Sequence, residues 1–171
     1  MTSQAIEHLM QEHELISSTG DAIRRLNGTW NNDPEAYANA VRRLLRFFRE
    51  YSDQVHHHKE EQILFPMLMD HPQFTMHEIV SELEDHHVQF REHTQAIEHA
   101  LDAGDHAKAQ RTLEHYHREL LDHIAAENDE LFIMAEQLFS EQELETLYHR
   151  FLDFDAEHGE KRVEMEALLT D

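Results

Sequence analysis

The chain has 171 residues, no cysteine and a formal charge of −22, from fourteen Lys and Arg against thirty-six Asp and Glu. That charge argues against nucleic acid and anionic membrane as partners, because both need a basic face. The absence of thiols excludes disulfides, thiolate metal sites, iron–sulfur ligation by this sequence and thiol catalysis.

The length suits a single domain over 1–171 with a substantial core. There is no long apolar run to span a bilayer, and the first residues lack the basic-then-apolar pattern of a signal peptide, so a cytoplasmic location is expected. Seventeen histidines are scattered along the chain rather than gathered at one end.

Glycine and proline, four and three in number, fall mostly at boundaries. A first helix is expected over about 3–27, closed by Gly28, with apolar residues recurring at three and four (Ile6, Leu9, Met10, Ile16, Ile23, Leu26). Asp33 and Pro34 open a second over about 34–70, as N-cap and first helical residue. Pro66 lies inside it and should kink or loosen its last turn. A third, about 75–103, opens with Thr75 and Glu78 as a capping box, and Gly104 ends it. A fourth covers about 105–139, and Ser140 with Glu143 caps a fifth over about 140–169. No sustained period-two pattern supports strands. The expected fold is all-α: an antiparallel up-down four-helix bundle over about 3–139, with the C-terminal helix packed outside.

Two internal alignments select candidate ligands. Residues 9–23 laid over 83–97 place Leu9 on Leu83, His13 on His87, Ile16 on Phe90 and Ala22-Ile23 on Ala96-Ile97. The stretch "HHHKEEQILFP" (56–66) laid over "HIAAENDELF" (123–132) places His56 on His123, Glu60 on Glu127 and Leu64-Phe65 on Leu131-Phe132. A histidine and a glutamate four apart share one helix face, one turn apart, so both can reach one cation. On the second helix Leu44, Phe48, Ser52, His56, Glu60 and Leu64 form an unbroken row at spacing four, and Ser52 leaves room beneath His56. His57 stands a further 100° round, and with Glu61 it forms the competing pair. His86 competes with His87 for the third-helix position. His57, His58, His115 and His117 are expected at the surface, with adventitious metal binding open to some of them. Lys59 and Glu61 are expected on a solvated face, and Tyr116 as a core phenol or a pocket wall.

Four imidazoles and two carboxylates projecting into a bundle suit a dinuclear, carboxylate-bridged site for iron, manganese, zinc or cobalt. The pattern H…HxxxE…H…HxxxE resembles the hemerythrin-like, or HHE cation-binding, family across the four bundle helices. The resemblance implies two iron ions (Fe2+/Fe3+) with a bridging oxo or hydroxo group, reacting with dioxygen, peroxide or nitric oxide. Carried over by position, it points to His13, His56, Glu60, His87, His123 and Glu127 as metal ligands. Oxygen carriers of that family place two histidines four apart on the third helix and an aspartate five after the last histidine. Here Arg91 follows His87 at that spacing, and Asn128 takes the aspartate position.

Fewer protein ligands leave more positions open, which favours redox chemistry or sensing over pure carriage. Weak peroxidase, catalase-like or oxidase activity is left open, although the sequence offers no obvious general acid. The alternatives are an iron-dependent sensing or binding protein and an iron–sulfur-repair-like protein. Repair is the lesser expectation, because members of that branch commonly carry a cysteine-bearing segment.

Overall fold

The computed structural model describes residues 1–170, and those residues form helices without a strand. The first arm is α1 (Gln4–Ser17) followed by α2 (Gly20–Leu26). The sequence pattern suggested one helix here. The break comes where the Ser18 and Thr19 hydroxyls donate to the carbonyls of Leu15 and Ile16, competing with the helical ladder.

The second arm begins with α3 (Pro34–Phe47), capped as expected by the Asp33 carboxylate, which accepts from the Ala36 N–H. It runs on through two π-helical segments, Phe48–His57 and Glu60–Leu64, into α4 (Phe65–Asp70). The wider ladder returns to α geometry at Pro66, where the Phe65 N–H still bonds the carbonyl of Glu60, five residues back.

The third arm is α5 (His77–Asp102). Its expected Thr75–Glu78 box does not form. Phe74 is buried and its N–H bonds the His71 carbonyl, so the chain leaves α4 in a turn and the helix starts later, after Met76. The fourth arm is α6 (His106–Ala126), a π-helical segment Glu127–Leu131, and α7 (Phe132–Leu138).

A reciprocal capping box of Ser140 and Glu143 opens α8 (Glu141–Glu157) as expected. The expected single C-terminal helix instead ends at a left-handed turn, Gly159 with φ 76° and Glu160 with φ 48°. The Glu160 N–H reaches back to the Asp155 carbonyl, which satisfies the exposed end of α8. Then α9 (Arg162–Thr170) follows.

The four arms form the bundle, with α5 against α6, α8 against the outside of α1, and α9 against α3. The aligned apolar pairs Leu9 and Leu83, Ile16 and Phe90, and Ile23 and Ile97 are all buried, as is the whole row from Leu44 to Leu64. At about 25 cal/mol per Å2 of apolar surface, these interior side chains supply the main force closing the bundle. No helix among the described residues is long and apolar enough to cross a membrane.

Candidate metal centre

At mid-height the apolar core gives way to a polar layer. His13 on α1, His56 and Glu60 on the second arm, His87 on α5, and His123 and Glu127 on the fourth arm are all buried there. So is His57, at 1% exposure, against the expectation of a surface position.

The Nε2 atoms converge. His13 and His56 meet at 2.8 Å, and His87 and His123 at 3.2 Å. Glu60 Oε1 lies 3.4 Å from His56 Nε2 and 3.5 Å from His87 Nε2. Glu127 Oε1 lies 3.0 Å from His123 Nε2 and 3.4 Å from His13 Nε2. His57 stacks on His87 at a centroid distance of 4.0 Å. Two groups of donor atoms result, each within 4.8 Å: His57, Glu60, His87 and His123, and His13, His56, Glu60 and Glu127. Glu60 belongs to both.

Local helix geometry explains how adjacent residues come to point inward. A π-helical turn holds more residues than an α-helical one, so the angle between neighbours shrinks. His56 and His57 therefore both face the interior, and the 100° separation of an α-helix does not apply to them. A second π-helical segment carries Glu60 and a third carries Glu127.

The outward nitrogens are anchored. The Nδ1–H of His56 donates to Glu12 at 3.0 Å, that of His87 to Glu61 at 2.8 Å, and that of His13 to Asn128 at 2.8 Å. His57 Nδ1 reaches Asp53 at 3.4 Å, and His123 Nδ1 meets His86 Nδ1 at 3.1 Å. Such contacts fix the tautomer and leave the inward Nε2 as a lone-pair donor. Thus His87 faces the interior, and His86 stands behind His123. Asn128 serves as a partner of His13 rather than pointing inward itself.

Electrostatics favour neutral rings. Burial pushes His57 and His123 well below the usual imidazole range, and neighbouring rings, His87 first, push the same way. Burial also lowers His13 and His56. His87 moves up: burial pulls it down, but the carboxylates of Glu60 and Glu61 outweigh that.

The decisive observation concerns the acids. Both carboxylate oxygens of Glu60 and both of Glu127 are buried without a hydrogen-bond donor. Among the described residues no lysine or arginine reaches them. An uncompensated carboxylate in such a place costs several kcal/mol. Imidazole donors facing two bare carboxylates fit a site for bound metal.

Further expectations are corrected in the surroundings. Lys59 is fully buried, not solvated, and its Nζ lies 2.8 Å from Glu12, 3.1 Å from His8 and 2.5 Å from Asp155. The carboxyl of Glu12 is raised by burial, yet the hydrogen bond from His56 and the charge of Lys59 hold it down at about 2. Glu61 is not idle either: besides holding His87 it pairs with Arg91 at 3.0 Å, and Arg91 also binds Asp53 at 2.9 Å. His117 is buried against Gly20, where an added Cβ would lie 2.9 Å from its ring. Tyr116 lines a cleft of about 410 Å3 with Phe48, Asp53, His57, Phe90 and Arg91.

No curated protein and no solved structure matches the chain in the corresponding comparisons. The family described as the hemerythrin HHE cation binding domain matches residues 4–135, which span all four arms and every residue of the polar layer. With the buried histidine and glutamate donors at its centre, the chain belongs to the hemerythrin HHE cation-binding family.

Proposed function

We propose that the chain binds two iron ions in the polar layer and uses them to bind or react with dioxygen, peroxide or nitric oxide. Glu60 and Glu127, together with His13, His56, His57, His87 and His123, would hold the ions. The observation that carries this reading is the set of four unpartnered carboxylate oxygens facing inward imidazole nitrogens. Imidazole and carboxylate together suit iron. When bound, the ions supply one-electron redox chemistry and open positions for a small ligand.

The protein's part is orientation and exclusion. Glu12 and Glu61 hold His56 and His87 in place, and their charge raises the donor strength of those rings. Phe132 stacks on His13 and Phe65 on His87, at 5.3 and 5.9 Å, shielding the layer from bulk water. The cleft beside His57, walled by Phe48, Phe90 and Tyr116, gives a small ligand its way in.

Metal analysis with optical spectra tests the reading. Protein loaded anaerobically should hold about two irons per chain. Its visible spectrum should change on exposure to dioxygen, peroxide or nitric oxide. Protein that takes up no iron overturns the proposal. Two irons with no response to any of the three ligands would leave the site and overturn the reactivity.

A further inference from the structure

A second group of donors lies outside the polar layer. His93 on α5 faces His115 and Glu119 on α6, and one ligand atom from each lies within 4.8 Å of the others. His93 Nε2 is 2.7 Å from Glu119 Oε2, and His115 Nε2 is 3.0 Å from Glu119 Oε1. The two rings meet edge to face at 5.3 Å. We propose that His93, His115 and Glu119 form a separate outer site for a divalent transition-metal ion such as zinc or cobalt.

Three observations support the site. The donor set, two imidazoles and a carboxylate, is that of three-ligand sites which leave a further position to water. The open side exists, since the His115 side chain is 50% exposed. Among the described residues no lysine or arginine pairs with Glu119. This separates it from His8, Glu12 and Asp155, a similar triad already filled by the ammonium of Lys59.

The position in the fold is also informative. On the fourth arm His115, Glu119, His123 and Glu127 follow one another at spacing four, from solvent at His115 to full burial at Glu127. An ion held at the outer site therefore lies on the helical row that ends in the interior layer, one turn before His123. The site does not depend on the interior reading, because it shares none of its residues.

The test is a count of bound ions on the full chain after chelator treatment, titrated with Zn2+ and separately with Co2+ against a competing indicator. Wild type should bind about one ion per chain more than His115→Ala or Glu119→Gln, and that ion should be the weakest bound. Co2+ should broaden the ring resonances of His93 and His115, and this broadening should vanish in Glu119→Gln. An equal count in wild type and both variants overturns the proposal, as does Co2+ that leaves these rings sharp. His56→Ala separates the two sites: it should lose interior ions and keep the outer one. If wild type holds only the ion that His115→Ala removes, the outer site stands and the interior reading falls.

Discussion

Two clusters of histidine and acid lie side by side and meet at the second arm, and they solve the same electrostatic problem differently. In one, Glu12 and Asp155 close around the ammonium of Lys59, with His8 alongside. In the other, no ammonium or guanidinium among the described residues reaches Glu60 or Glu127, which face imidazoles that, His87 excepted, burial holds toward the neutral form. A lysine supplied by the chain makes the first cluster self-sufficient, and it ties α1, the second arm and α8 together. The second needs a cation from outside. Glu12 joins them, because one of its oxygens holds Lys59 and the other holds His56. Helix α8 thereby acts, through Asp155, on the anchoring of a candidate ligand.

Breaking the self-sufficient cluster should have the largest effect. Lys59→Met leaves Glu12 without its buried counter-charge and should cost about 3–5 kcal/mol in denaturant unfolding of metal-free protein. Adding Glu12→Gln should recover part of that loss. Next comes metal removal: chelation should lower stability by about 4 kcal/mol if the free ion stood near a thousand times its Kd. Calorimetric Tm with and without chelator measures this, and in Glu60→Ala with Glu127→Ala the difference should disappear. His57→Ala should weaken iron affinity by more than about 100-fold, beyond what loss of an anchoring partner alone produces. Glu61→Gln should weaken it by about tenfold, because it removes only the anionic anchor of His87. Smallest of all, His58→Ala should leave iron content unchanged and stability within about 0.5 kcal/mol. If His58→Ala lost iron while His57→Ala kept it, the assignment of the inward ring would be wrong.

Much of the interior was legible because it repeats. The pairings of His13 with His87, of His56 with His123 and of Glu60 with Glu127 depend on helical spacing, which the fold preserves, and these six residues meet in one layer. His57 was not legible under α-helical geometry. Yet the row from Leu44 to Leu64 carried a signal. At ~100° per residue, five steps of four residues drift by about 200°, enough to carry an α-helix row out of the core. All six members are nonetheless buried, so the turns must widen between them, as the π-helical segments do. Glu12, Lys59 and Asp155 had no such signal. Their contact joins positions far apart in the chain, and nothing in local periodicity records it. The Thr75–Glu78 box failed for a related reason, since the burial of Phe74 decides where α5 starts.

The widened turns also distribute the inward donors unevenly. His56, His57 and Glu60 come from the second arm and His123 and Glu127 from the fourth, while α1 and α5 contribute one ring each. The two π-modified arms thus supply five of the seven inward donors, and α5 offers the layer only the inward nitrogen of His87. The cleft walled by Phe90, Arg91 and Thr94 opens beside that helix. Local breathing of α5 would admit a small molecule at the loss of one donor. On the proposed iron reading, release of an ion would break donors on both π-modified arms, so guest exchange and metal retention would run on separate clocks.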